Sequence, residues 1–551
     1  MNQITVSLPS GRQVTVQHGT RVSEVLQGEP PAEHPTVAAL VNNQHVSLSY
    51  RVEINANVIP VTLNSAEGRQ VYRRSLCFVL TMAAYRRLEG RRVVIGHSLG
   101  DGYYYQSADG QPFAEEEVAA IGAEMQSLVA QDLPITRSVV SYQDALSYFR
   151  ERCMADTELL LKHRNEAKIP VYRCAELMDL SHGPLLPSTG MLRCFEVRPY
   201  AQGFILRFPG ERDPNSLREF HASPILFSVY QEYKQWGKIL GVGSAGQLSE
   251  LTRTGGIREF IRVAEALHDK RIGEIADRIA ERRDTVRVVL IAGPSSSGKT
   301  TFTKKLTIQL TACGLRPITI GLDDFFVERE QTPRDAEGKY DFEHIQAIDI
   351  SVLNETLLRL FAGETVEMPE FDFKTGSRRY SGHTLQLPQQ GILLIEGIHG
   401  LNPDLIPRIE RTQTYKVYVS ALTQLNLDDH NRVPTTDNRL IRRLVRDHQF
   451  RGYSAVDTLS RWPSVRRGEN RNIFPYQDSA DSAFNSALDY ELGVIKSYAE
   501  PLLQEVKPYH EVYHEAIRLA SFLSNFTRIP EKFVPEHSIL REFIGGSGFK
   551  Y

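Results

Sequence analysis

Val286-Arg-Val-Val-Leu-Ile-Ala-Gly293-Pro-Ser-Ser-Ser-Gly298-Lys299-Thr300-Thr301 is the stretch from which the rest of this 551-residue chain can be read. Its first seven residues form a nearly continuous apolar run, the pattern of a strand buried on both faces of a parallel sheet. The run leads into GxxxxGK[ST], the spacing of a phosphate-binding loop between a strand and a helix. Gly293 and Gly298 let the backbone N–H groups of the loop, with Ser295, Ser296 and Ser297 between them, close around phosphate oxygens. The following helix adds the positive end of its dipole from Lys299, Thr300 and Thr301. Lys299 supplies a point charge, and the Thr300 hydroxyl suits Mg²⁺. The bland alternative is a Gly/Ser-rich turn; the strand-loop-helix setting favours a nucleoside triphosphate site.

Working outward, Pro317–Leu322 reads as a second strand that delivers Asp323 and Asp324 at its carboxyl end, and Gly391–Ile395 as a third that delivers Glu396. In open parallel sheets the strand ends face the ligand crevice, so carboxylates there can hold the waters of Mg²⁺ or take a proton from an attacking hydroxyl. A helix cap or a solvated turn is the competing reading for either acid alone. Arg439, Arg442 and Arg446 share one face of a predicted helix, with Arg443 beside them. Such a row is commonly a solvated surface, but next to a phosphate loop it can clamp transferring phosphate.

With these residues in place, the segment from about Arg287 to Lys496 resembles the uridine kinase and phosphoribulokinase family. Six motifs stand in the family's order: GPSSSGKTT, LDDFF (322–326), YDFEHIQAID (340–349), PEFDFKTGSR (369–378), LLIEGIHGL (393–401) and NRLIRRLVRDHQFRG (438–452). The resemblance implies ATP-dependent, Mg²⁺-assisted transfer of phosphate to a hydroxyl of a nucleoside or sugar. It assigns the catalytic role to Asp323, Lys299 and Arg442, metal binding to Thr300, Asp323 and Glu396, and the acceptor pocket to Phe326, Glu343, Phe371, Phe373 and Arg439. Where uridine kinases read P-x-Y-D-F-x-x-H-S-R, this chain has Phe371 for the tyrosine and Gly376 for the histidine. The family's ribose-binding aspartate is replaced by Glu343. The polar contact that selects a pyrimidine is therefore missing, and core packing competes with stacking as the role of Phe371 and Phe373.

The front of the chain carries different signals. Alternation at Ile4–Leu8 and Val14–Val16 around Pro9-Ser-Gly11 predicts a hairpin, and residues 1–63 resemble the TGS domain of threonyl-tRNA synthetases, a β-grasp module. Residues 72–195 resemble the editing-type second additional domain of those enzymes through IGHSLGDGYYYQ (95–106) and MDLSHGPLLPSTG (178–190). That domain builds its cleft from an HxxxH and a CxxxH pair. Here Arg74 and Phe78 replace the first pair, and Ser181 and Leu185 the second, which predicts loss of editing hydrolysis. His97 and His182 read as surface or turn residues, and no basic cluster with interleaved aromatics stands out along the chain. The tRNA-enzyme-like front leaves tRNA open as a partner, and a nucleotide-dependent switch or tRNA-associated regulatory NTPase is the alternative to a kinase.

Sixty-four Lys and Arg against 67 Asp and Glu leave a formal charge of −3, and 41% of residues are hydrophobic, so the whole chain has neither a nucleic-acid-type charge excess nor a disordered composition. No window approaches the length of a membrane span, and the first residues have neither a basic start nor an apolar stretch. Five scattered cysteines without a CxxC pair argue against a disulfide framework or cysteine zinc site, and together these features predict a cytoplasmic protein. The expected architecture is multidomain α/β: a β-grasp domain at 1–63, an α+β domain with a degenerate site at 64–214, a helical connector at 215–285, a P-loop NTPase parallel sheet wrapped by helices at 286–526, and a tail at 527–551. The tail has two expected forms, flexible or docked on a neighbour.

Overall fold

The computed structural model describes residues 3–30, 32–210, 213–334, 338, 340–372 and 375–551. Its second half is built on a five-stranded sheet in the order Arg316–Gly321, Gly391–Glu396, Val288–Ala292, Thr414–Ser420, Ser482–Asn485, with every neighbouring pair parallel. All five residues of Val288–Ala292 are buried, as the apolar run requires of a central strand covered on both faces. The chain leaves that strand through the loop and enters the Lys299–Ala312 helix. Gly298 has φ +81° at the turn into the helix, a conformation that favours glycine, and a β-carbon there would lie 2.5 Å from Ile539 Cγ2.

Residues 3–62 form a mixed five-stranded sheet, Gln13–Gln17, Gln3–Ser7, Ala56–Thr62, Thr36–Val41, Gln44–Val46, whose alternating apolar residues close over a one-turn helix, Val22–Val25. The helix Ala66–Arg87 follows, capped by Ser65 Oγ, which accepts a hydrogen bond from the Gly68 N–H at 3.0 Å. Residues 76–84 of this helix are buried on every face. A four-stranded and a three-stranded sheet complete this region. Three helices, Pro224–Leu240, Ala245–Arg253 and Ile257–Ala280, then lead to the parallel sheet.

The two halves are not separate beads. One apolar cluster runs from Val37 to Ile544, and a buried polar joint is made by three consecutive residues of the second half. Asp429 Oδ2 accepts hydrogen bonds from the Thr157 N–H and hydroxyl, both at 3.0 Å, and Asp429 also pairs with Arg92. Asp428 Oδ2 lies 2.7 Å from His182 Nε2, and His430 Nδ1 lies 3.0 Å from Asp179 Oδ2. His182 is therefore a joint residue rather than a surface one. His97 is buried as well, stacked on Tyr230 with ring centroids 5.8 Å apart.

Burial alone would lower the pKa of His430, but the carboxylates of Asp179, Asp429 and Asp428 outweigh it and raise the pKa to about 9 from 6.5. A histidine raised in this way stabilises the fold fully below pH 6.5 and loses that contribution as pH rises to 9. Calorimetric stability of the whole chain is expected to fall across this window, and a His430→Gln variant is expected to lack that part of the slope.

Candidate active site

The loop Gly293–Gly298 is held from behind by arginines. Arg439, 1% exposed, donates from Nε to the Ser295 carbonyl at 2.9 Å, pairs with Glu469 and lies over the Trp462 ring. Arg442, 0% exposed, donates from Nε to Glu491 Oε2 at 3.1 Å and from Nη2 to the Ser486 carbonyl at 2.8 Å, with a longer contact to the Ser296 carbonyl. The periodicity of the Thr435–Arg451 helix is as expected, but its row of arginines is neither a solvated surface nor an open clamp. Arg439 and Arg442 point into the protein, where the carboxylates of Glu469 and Glu491 meet them, and they brace the loop's backbone. Arg443 stands nearer the loop's outer face and donates to Ser295 Oγ at 2.7 Å.

Within the loop, Lys299 Nζ donates to the carbonyls of Gly293 and Pro294 at 2.9 and 3.2 Å. Burial lowers its pKa, opposed by the carboxylates of Glu396 and Glu542. Thr300 Oγ1 donates to Glu396 Oε1 at 2.8 Å, joining two of the three residues that the motif assigns to metal. The third, Asp323, stands on the short turn Leu322–Phe325 after the second strand. Asp323 keeps surface open to the crevice and makes no hydrogen bond among the described residues. The protein crowded around it nevertheless raises its pKa, with Lys299 and Arg451 opposing. Glu396 is raised in the same way by burial, against Lys299 and the Thr300 hydroxyl. Among the described residues, no group of three or more histidine, cysteine or acidic side chains could cage a metal.

Two carboxylates that the sequence did not mark reach the loop's N–H donors. Glu469 Oε1 accepts from the Ser295 N–H at 3.0 Å, while its other oxygen accepts from Arg466 Nη1 at 2.8 Å. Glu542 Oε2 accepts from the Thr301 N–H at 3.0 Å and from its hydroxyl at 2.7 Å. Tyr551 OH lies 2.7 Å from the same hydroxyl. The residues after 527 thus dock on the start of the Lys299–Ala312 helix, with Ile539 against Gly298 and Phe543 beneath Arg442. A carboxylate on these N–H groups is an anion at an anion site. The hydroxyls of Ser296 and Ser297 are buried without a partner among the described residues.

Of the residues that the resemblance gives to an acceptor pocket, Phe326 and Phe371 form an apolar pair with ring centroids 5.5 Å apart, and Phe342 meets Phe326 edge-on at 6.1 Å. Phe373 lies outside the described residues. Glu343 has its pKa raised to about 7, first by burial and then by Glu469. Gly376 adopts φ +76°, and a β-carbon there would lie 2.5 Å from Arg329 Nε. The space that a longer side chain would need is filled.

The loop, Glu396 and Asp323 thus stand at the ends of adjacent parallel strands. Residues 288–492 match the Phosphoribulokinase / Uridine kinase family. They form a domain of that family. Over the N-terminal region the chain is similar to threonine–tRNA ligases: 31% identical over 201 residues to that of Methylococcus capsulatus, covering 36% of this chain and 32% of the relative. Threonine–tRNA ligase 2 of Bacillus subtilis is 31% identical over 196 residues, covering 35% and 31%. The chain spans about a third of the length of these curated relatives. Among solved structures, a possible uridine kinase from Bacillus stearothermophilus aligns with 38% of this chain and 100% of its own at 20% identity and TM-score 0.25. D-glycerate 3-kinase from Cryptococcus neoformans aligns with 49% and 87% at 14% identity and TM-score 0.19.

Replacing Glu469 by Ala leaves Arg439 buried without its counter-charge, a change that typically costs about 3–5 kcal/mol. Denaturant unfolding of Glu469→Ala is expected to show a loss of that order, whereas Arg466→Ala, which removes only the more exposed partner, loses far less.

Proposed function

We propose that the 286–526 region is a Mg·ATP-dependent kinase that phosphorylates a hydroxyl of a ribose-containing or sugar acceptor. The observation that carries this reading is the grouping around one loop of Lys299, the Thr300–Glu396 pair and Asp323, which makes no hydrogen bond among the described residues. The loop fits a triphosphate because its donors already hold anions: Glu469 on Ser295 and Glu542 on Thr301. Thr300 and Glu396 fit Mg²⁺, an ion that keeps several waters and needs only one or two protein carboxylates. When bound, the ion neutralises charge on the phosphates.

In this reading Gly293–Thr301 hold the phosphates, and Asp323 receives the proton of the acceptor hydroxyl. Its raised pKa makes it a better proton acceptor than an ordinary aspartate. Lys299 offsets charge on the transferring group, and Arg439 and Arg442 keep the loop's shape. Positioning and charge stabilisation do most of the work in this chemistry. Glu343 and the Phe326–Phe371 pair line the acceptor side. With position 376 closed, uridine is not the favoured acceptor. We assign residues 1–63 to a TGS-like β-grasp unit and 64–214 to an editing-type unit without its hydrolytic site.

A screen of nucleosides, ribose sugars and sugar phosphates with radiolabelled ATP is expected to show transfer to one acceptor class. Lys299→Ala is expected to abolish turnover, and Asp323→Asn to lower kcat by about 10²- to 10⁴-fold, both with unchanged circular dichroism. Slow hydrolysis to ADP with no acceptor found would instead favour the nucleotide-dependent switch.

Glu542 and an incoming phosphate need the same Thr301 N–H. Glu542→Gln removes the competing charge and is expected to tighten ATP binding about five- to tenfold by titration calorimetry, a gain of about 1–1.4 kcal/mol. Unaltered affinity would mean that this segment has no part in nucleotide entry.

A further inference from the structure

A cleft of about 1790 Å³ lies between the synthetase-like half and the kinase-like half, and its lining does not include the Lys299 loop. Among the described residues, ten arginines line it against five carboxylates, with six histidines, in a chain whose formal charge is −3. Arg73, Arg74 and Arg137 come from the front half, and Arg466, Arg467 and Arg471 from the Ala455–Asn472 helix of the second half. The segments are far apart in sequence, so no local charge run announces the cleft.

The front wall contains buried polar atoms that no described residue bonds. Arg74 Nη1 donates to the His182 carbonyl at 3.1 Å, but its Nε and Nη2, together with Arg73 Nε and His45 Nε2, are buried without a partner among the described residues. Buried guanidinium N–H groups left unpaired are costly, and an oxyanion satisfies them in the planar geometry that arginine favours. Arg74 stands where the editing-type domain would carry the first histidine of its pair, so the cleft keeps its place while its chemistry changes from histidine to guanidinium. Asp437 and Glu515 pair with Arg518 and interrupt the basic lining, as do Asp101 and Asp478. That interruption denies a long phosphodiester strand a continuous track and suits a compact anion.

We propose that this cleft is a second binding site, for a small phosphate-bearing molecule anchored by Arg73 and Arg74. The proposal is independent of the kinase reading, because none of the residues Gly293–Thr301 lines the cleft. Its occupant would nevertheless lie beside Arg439 and Arg466, which also line the cleft and hold Glu469 on the Ser295 N–H.

The test is titration calorimetry of the full chain with pyrophosphate, in the wild type, in Lys299→Ala, which disables the loop, and in Arg74→Gln. Lys299→Ala is expected to retain a salt-sensitive site, and adding Arg74→Gln to it is expected to weaken that site at least tenfold with circular dichroism unchanged. Should the double variant be misfolded, Arg73→Gln in the same background gives the same reading. Pyrophosphate binding that vanishes in Lys299→Ala would assign it all to the loop and overturn the proposal. So would salt-sensitive capture of a short single-stranded RNA by a chain that ignores pyrophosphate, which would make the cleft an RNA surface instead.

Discussion

Glu469 is a carboxylate buried to 1% exposure between two guanidiniums, and it also receives the N–H of Ser295. An ion in that position is tolerable only while every partner is present. The requirement fixes the Ala455–Asn472 helix, which carries Glu469, against the Thr435–Arg451 helix, which carries Arg439, and fixes both against the phosphate loop. The same logic repeats one turn on, where Arg442 and Glu491 lock the loop's other shoulder to the segment before the Glu491–Glu505 helix. The loop's shape is thus set by charges behind it as much as by its own glycines.

This arrangement separates two tasks that a row of arginines might perform. Those facing inward are held by carboxylates and act on backbone carbonyls, so they define the cradle. Arg443 and Arg446 are less deeply enclosed, and both sit around Asp447. Asp447 is itself buried and is shared by Arg443, Arg446 and Arg451, so the charge of these arginines is less fully offset than that of Arg442, which meets Glu491. The division follows from depth, not from residue type.

The parallel sheet, the loop and the placement of Asp323 and Glu396 at strand ends were legible in the chain because each rests on a contiguous pattern: an apolar run followed by a spaced motif. Glu469 and Glu542 were not legible, because they lie 174 and 241 residues from the N–H groups they accept from. The only trace of the second is the apolar spacing of Ile539, Leu540, Phe543 and Ile544, which marks a segment that buries a face. The basic cleft escaped for a related reason: its arginines come in small groups, Arg73 with Arg74 and Arg466 with Arg467 and Arg471, that lie nearly 400 residues apart and face one another only after folding. His97 and His182 read as surface or turn residues; His182 does stand in a bend, but His97 lies on the strand Val93–Leu99, and nothing local in the chain signals the Asp428 or Tyr230 that meets each of them.

The backbone at Gly376 has a consequence for what this position can carry. Its left-handed geometry strains any larger residue, and the Arg329 side chain lies where a β-carbon would go, so a substitution there requires both the turn and the arginine to give way. Positions 329 and 376 are therefore coupled: a side chain gained at one is accommodated only together with a rearrangement at the other, so the two are free to vary as a pair rather than independently.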